Sequence, residues 1–307
     1  MASAARRWVI GRGLLGEAVA RARSDTPFSV TVDWTDPERA KRTLSSAVTD
    51  FLTPAGVHEI YWCAGKGVTS TPRERLQEEV DVFESFLAAL GRACAESDAV
   101  VVLFLTSSVG GAYGGAGGGP FTEYSPAVPA SAYGEAKLDM ERLASAYGEA
   151  HGWRTVIGRL TNLYGPGQDL SKGQGLISTL VNSAITLQPA TIYVSLDTLR
   201  DYIYEDDAAD VISASVSRAR GLGAGDTVTK IIGTGRAVSV GAIIGELRRL
   251  RRRSGFSLVG QGAAVGQALD LRVRSEVWPD LDDLIGTNLP EGLDRVMRAR
   301  LDLLTRG

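Results

Sequence analysis

Histidine, cysteine and long apolar runs are what this chain has least of. Its 307 residues include two histidines, His58 and His151, and two cysteines, Cys63 and Cys94. So few imidazoles exclude a histidine-rich metal centre and the histidine-based hydrolytic triad, and both are read as structural or surface residues. Two cysteines inside apolar runs make neither a disulfide framework nor a cysteine-rich metal site; they pack as small hydrophobes and fit a reducing compartment. No stretch approaches the roughly 20 apolar residues of a membrane span. The apolar run after Arg6 and Arg7 is broken at Arg12 and lacks a small-residue cleavage site, so no secretory leader is expected. Charge of one sign is lacking too: 33 basic against 36 acidic residues leave a net charge of −3, without a basic stripe for nucleic acid or membrane. The expectation is a soluble, cytoplasmic protein with no nucleic-acid or membrane partner and no metal.

Apolar residues are plentiful at 44%, enough to bury a large core. In the first half they alternate between short runs and amphipathic stretches, the pattern of a doubly wound parallel sheet flanked by helices, an α/β fold. "RWVIG", "FSVTVDW", "HEIYWCAG", "AVVVLFLTSS" and "WRTVIGRLTNLYG" read as strands. Between them, "LLGEAVARARS", "DPERAKRTLSSAVTDFL", "ERLQEEVDVFESFLAALGRACAES" and "SAYGEAKLDMERLASAYGEAHG" read as helices, the second opened by Asp-Pro and the last ended by Gly152. The glycine-dense stretch 109–121 is expected to hold no regular structure and to form a mobile loop over a site, because it follows a strand end. "ELRRLRRRSG" (246–255) reads as a solvated basic helix end.

Two constellations carry chemistry. Gly11, Gly13 and Gly16, with Arg12, Leu14 and Leu15 between them, have the G-x-G-x-x-G spacing at a strand-to-helix junction. There the backbone can approach a pyrophosphate and the helix N-terminus offers unpaired N–H groups. Asp33, followed by Trp34, ends the next apolar run, where a carboxylate can accept from ribose hydroxyls. Farther along, Thr106, Ser107 and Ser108 end the most hydrophobic strand, and Tyr133 and Lys137 share one helix face. A tyrosine with its ordinary pKa of about 10 is a poor base, but a neighbouring ammonium and a cationic nicotinamide ring stabilise its phenolate. Serine, tyrosine and lysine then form a proton-transfer unit beside a hydride carrier.

Together with "CAG" (63–65), "TSSVGGAYG", "YGEAK", "GRLTNLYGPG" (158–167), "LRDYIYEDDAAD" (199–210) and "IIGTGRAVSVGAII" (231–244), this set resembles the short-chain dehydrogenase/reductase superfamily. It is most similar to the extended branch of NAD-dependent epimerases and dehydratases, over residues 8 to about 235. The resemblance implies a Rossmann-type dinucleotide-binding domain over 1–165, with a return segment at about 200–232. A smaller, interleaved, mainly substrate-binding part then occupies 166–307. It also implies Tyr133 as catalytic acid/base, Lys137 as holder of the nicotinamide ribose, and Ser108 as the residue orienting the reacting oxygen, with Thr106 and Ser107 as neighbouring alternatives. Gly11, Arg12, Gly13, Leu14, Leu15, Gly16, Asp33, Trp34, Cys63, Ala64, Gly65, Thr106, Ser107, Leu160 and Thr161 would line the cofactor. Asn162 and Arg200 would meet the substrate's nucleotide and diphosphate.

The departures are as informative. Ser108, Val109 and Gly110 stand where the family's dehydratases carry Asp-Glu, which disfavours dehydration, and Glu79 stands where an asparagine is usual. Only one strand fits between the first strand and "CAG", so Asp33 matches either the ribose-binding acid or a later acid against adenine. In the second case Arg12 could pair with a 2′-phosphate; NAD is expected and NADP is the alternative. The implied activity is oxidoreductase or isomerase chemistry on a nucleotide-linked sugar, by 4-epimerisation through a keto intermediate. An NAD(P)H-dependent ketoreductase is the alternative, and a non-catalytic dinucleotide sensor the alternative of another class. A homodimer is expected through the helices at about 73–96 and 131–151, with Val82, Phe86, Leu138 and Leu143 as apolar positions.

Overall fold

Residues along the apolar runs alternate between two buried faces, so each strand needs helices on both sides. The computed structural model, which describes residues 5–169, 175–192, 194–251, 258–260 and 268–306, shows that arrangement. The first half runs β1 (Arg6–Ile10), α1 (Leu14–Arg21), α2 (Pro37–Leu52), β2 (Val57–Trp62), α3 (Arg73–Cys94), β3 (Val100–Ser108), α4 (Val109–Tyr113), α5 (Ala132–His151) and β4 (Arg154–Leu160). Next come β5 (Asn162–Tyr164), α6 (Leu176–Thr186), β6 (Ala190–Ile192), β7 (Leu199–Arg200), β8 (Tyr202–Tyr204), α7 (Glu205–Ala219) and β9 (Thr227–Ile232). The chain closes with β10 (Val238–Ser239), α8 (Val240–Arg251), β11 (Leu258–Gly260), β12 (Asp270–Leu271) and α9 (Leu289–Arg306).

The main sheet has the order β1-β2-β3-β4-β9 and every pairing in it is parallel. Trp8, Ile10, Ile60, Trp62, Leu103 and Leu105 face α2, α3 and α5; Val9, Tyr61, Val102 and Phe104 face α1 and α7. A separate apolar cluster joins α6, α8 and α9 through Leu180, Ile243, Leu247 and Leu293. No helix among the described residues is long and apolar enough to cross a membrane.

Three readings of the sequence are corrected. "FSVTVDW" is not a strand of the ladder: it makes one bridge, Phe28 to Trp8, with a single backbone bond from Phe28 N–H to the Arg7 carbonyl. Its alternation comes from Phe28, Val30 and Val32 packing on the core, which at a sheet edge needs no continuous pairing. "WRTVIGRLTNLYG" splits, because β4 belongs to the main sheet whereas β5 pairs with β8 in a separate one. The glycine-dense stretch begins with α4, whose first turn is capped by Ser108. The basic helix end is seen only through Arg251; Arg252 and Arg253 lie outside the described residues.

Glu205, at the start of α7, is 4% exposed, and Arg21 reaches it at 3.4 Å. Burial outweighs that arginine and pushes its carboxyl up to about 7. A raised folded-state value adds stability below the ordinary carboxylate range that is lost as pH rises through about 7. Glu205→Gln is therefore expected to exceed the wild type in stability at about pH 8 by on the order of 1–3 kcal/mol, and to lose that advantage near pH 4. Denaturant titrations at the two pH values check this; an equal difference at both contradicts it.

Candidate active site

In a parallel sheet all strand ends of one polarity lie on one edge, and here the chain crosses from the Phe28 side of β1 to β2 on the other. That reversal opens a crevice between β1 and β2. Gly11 turns there with φ 90°. A Cβ at Gly11 would overlap the Ala64 backbone nitrogen and one at Gly16 the Gly11 carbonyl, whereas one at Gly13 meets nothing within 4 Å. The loop is a tight cradle with an open face at the N-terminus of α1, which has no side-chain cap. These features fit a dinucleotide's pyrophosphate.

Leu15 is buried beneath the cradle and Leu14 half-buried. Cys63 stands under Gly16, and burial pushes its thiol up to about 12, so it serves as an inert wall. Arg12 is turned back onto α1, with Nε and Nη2 each 2.9 Å from the Glu17 carboxylate. Asp33 accepts from the Thr35 N–H (3.0 Å) and hydroxyl (2.6 Å) and from Arg39 (3.1 Å). Those bonds, Thr35's first, hold its carboxyl below the usual range. Trp34 meets Trp62 edge to face, with ring centroids 6.3 Å apart.

Ser131 caps α5 by accepting from the Gly134 N–H at 3.2 Å, which places Tyr133 in the first turn. Gly134 is required there, since a Cβ on it would overlap the Gly111 carbonyl. With α4 and α5 this close, the point where a Cβ would stand on Gly111 is 3.3 Å from Ser108 Cβ and 3.5 Å from Tyr133 Cε1. Serine and tyrosine are thus neighbours. Ser108 Oγ accepts from the Gly111 N–H at 3.1 Å, engaging the oxygen rather than the O–H donor. Lys137, 8% exposed, lies with Nζ 5.9 Å from the Tyr133 ring centroid and donates to the Thr106 carbonyl at 3.4 Å.

Ser107 faces away from this cluster, donating to Glu141 at 2.5 Å. Glu141 also accepts from Arg159 Nε (3.0 Å) and Nη2 (2.6 Å), and Arg159 Nη1 donates to the Tyr113 hydroxyl at 2.7 Å. Leu160 ends β4 as a buried residue, and the Thr161 hydroxyl donates to Asp201 at 2.7 Å. Asn162 Nδ2 donates to the Asp201 carbonyl (2.8 Å), while Arg200 gives Nη2 to the Ala268 carbonyl (2.6 Å) and Nη1 to its own neighbour's, Leu199 (2.9 Å). The Asp201 carboxylate, 1% exposed, also takes Thr234 N–H and hydroxyl and the Arg236 N–H, tying the exit of β9 to β7.

Sequence reasoning missed Asp201 and the buried pair Glu141 and Arg159. The signal for Glu141 was its place four residues after Lys137 on the inner face of the same helix. A cavity of about 340 Å³ lies elsewhere, between α6 and α9, lined by Pro166, Gln168, Ser178, Val296, Arg300 and Leu303. It contains none of these groups, whereas Ser108, Tyr133 and Lys137 stand at the sheet edge.

A doubly wound parallel sheet with a glycine cradle at its first crossover defines a dinucleotide-binding protein of the Rossmann type. The NAD dependent epimerase/dehydratase family matches residues 5–229, and the chain belongs to that family. It is 32% identical over 178 residues to a UDP-glucose 4-epimerase of Azospirillum brasilense, covering 53% of this chain and 49% of that protein. The chain spans less than half the length of the first curated relatives it matches, from 28% to 49%. The solved structure of MoeE5 in complex with UDP-glucose and NAD is similar at a TM-score of 0.76 and 25% identity, over 97% of this chain and 99% of that one. The fold is also that of the Thermus thermophilus UDP-glucose 4-epimerase in complex with NAD, with a TM-score of 0.75, 20% identity and coverage of 96% and 98%.

Proposed function

We propose that the chain is an NAD-dependent 4-epimerase of a nucleotide-linked sugar. The observation that carries this reading is the meeting of Ser108, Tyr133 and Lys137 at the sheet edge beside the Gly11 to Gly16 cradle. NAD held at this cradle would supply the hydride acceptor and donor for such chemistry. The Ser108 hydroxyl orients the sugar's C4 oxygen. Tyr133 takes that oxygen's proton as the carbon loses hydride and gives it back when hydride returns to the other face of the keto sugar. Lys137 would stabilise the phenolate that exists before the proton is taken and again after it is returned, and would hold the nicotinamide ribose. Asn162 and Arg200 receive the nucleotide and diphosphate. Water elimination has no support, because Ser108 is followed by buried Val109 and by Gly110, neither of which can act as an acid or base. UDP-glucose, bound by MoeE5, is the first substrate to try. Mass spectrometry of the native protein against NAD(H), NADP(H) and a panel of sugar nucleotides tests the reading. Retained NAD with selective sugar-nucleotide binding is expected; dinucleotide binding with no sugar nucleotide bound supports the sensor reading instead.

The cofactor is expected to be NAD rather than NADP. Asp33 stands at the end of the edge segment, where a 2′-phosphate would meet like charge, and Arg12 is engaged by Glu17. The preference is on the order of a few kcal/mol, the scale of coupling between close charge pairs. Titrating both cofactors into stripped protein decides it; tighter NADP binding that disappears in Arg12→Ala contradicts the assignment of Asp33.

The working protein is further proposed to be a cytoplasmic homodimer through α3 and α5. Of the apolar positions on these helices, Val82 and Phe86 are covered by the chain's own core, and Leu138 and Leu143 pack on it only in part, so their exposed sides are what a partner would cover. Sedimentation at micromolar concentration is expected to show a dimer, and monomer alone rules it out.

A further inference from the structure

Glu79 has no role in the chemistry above, yet its carboxylate lies inside the site. It stands on the inner side of α3, where Oε1 accepts from the Lys66 N–H at 2.7 Å and the Gly67 N–H at 2.8 Å. Those bonds close the loop that leaves β2 past Ala64 and Gly65. Its other oxygen, Oε2, and Lys137 Nζ each lie 3.5 Å from the point where a Cβ on Gly65 would stand, so carboxylate and ammonium both border that glycine.

We propose that Glu79 sets which oxidation state of the cofactor the site prefers, favouring NAD over NADH. The inference rests on the reading that Lys137 holds the nicotinamide ribose. The oxidised ring carries a positive charge that the reduced ring lacks, so a nearby protein charge distinguishes the two forms through its interaction with that ring. The Lys137 ammonium alone favours the neutral, reduced ring. Glu79 opposes that field from beside the same glycine and tips the balance toward the cation. A site biased in this way suits a cycle that begins and ends with oxidised cofactor, which is the 4-epimerase cycle. A ketoreductase must load NADH and release NAD, and the same bias would slow both steps.

Calorimetric titration of NAD and of NADH into stripped protein tests the proposal without a sugar substrate. The wild type is expected to bind NAD more tightly than NADH. Glu79→Gln keeps an amide oxygen for the Lys66 and Gly67 N–H groups and removes only the charge. It is expected to raise the ratio of the NAD to the NADH dissociation constant about fivefold, the effect of a unit charge over roughly 8 Å in a medium between protein and water. Glu78→Gln, whose carboxylate instead pairs with Arg75 at 2.9 Å, is expected to leave the ratio unchanged. A folded Glu79→Gln protein with the wild-type ratio overturns the proposal. If that variant does not fold, the wild type decides: tighter binding of NADH overturns it. Failure to bind either form refutes the NAD reading itself and is recognised by that outcome.

Discussion

Tyr133→Phe is expected to fold and bind NAD like the wild type but to turn over at least about 100-fold more slowly, the scale of lost general acid–base catalysis. Phenylalanine keeps the ring that packs against Gly111, and Lys137 keeps its bond to the Thr106 carbonyl, so cradle and helix stay in place. Only the oxygen that exchanges a proton with the sugar is removed. Ser108 cannot replace it, because a serine hydroxyl is far too weak an acid to hold the proton balance without a base beside it. The measurement is steady-state turnover with a dissociation constant for NAD taken alongside. Wild-type turnover would remove Tyr133 from the mechanism, and a matching loss of NAD affinity would make its role one of binding.

The largest stability effect is expected from Glu141→Ala, at about 3–5 kcal/mol, the cost of breaking a buried ion pair from one side. Glu141 is 6% exposed and Arg159 9%, and removal of the carboxylate strands the guanidinium and the Ser107 hydroxyl together. The pair joins α5, which carries Tyr133 and Lys137, to β3 and β4 through Ser107 and Arg159, directly paired residues of those strands. Replacing both charges, as in Glu141→Met with Arg159→Met, is expected to recover most of the stability, because an apolar pair leaves no buried charge without a partner. Denaturant midpoints of the single and double variants check this; a double variant no more stable than the single contradicts the electrostatic account.

Much of this arrangement was legible in local sequence. The buried strands announced themselves by apolar runs, α2 by Asp36 before Pro37, and the cradle by glycines at a strand-to-helix junction. Tyr133 and Lys137 could be placed on one face by helical spacing alone. The period of two along β3 also meant that Ser107 and Ser108 point to opposite faces, which "TSS" taken as a unit concealed. What stayed hidden were contacts between distant residues. The Asp201 carboxylate gathers Thr161 and Thr234, and Glu79 reaches Lys66 and Gly67, through pairings that no local periodicity encodes. The segment from Phe28 misled for a related reason: side-chain burial produces alternation whether or not a neighbouring strand completes the ladder.

The central claim is that one hydride leaves the sugar and comes back to it within the site. Its most direct measurement is incubation of the protein with NAD and UDP-glucose in deuterated water, followed by proton NMR of the sugar. The account predicts conversion to the C4 epimer with the original hydrogen retained at C4 and no net consumption of cofactor. Deuterium at C4, or net release of a keto sugar in step with reduction of the added NAD, would contradict it.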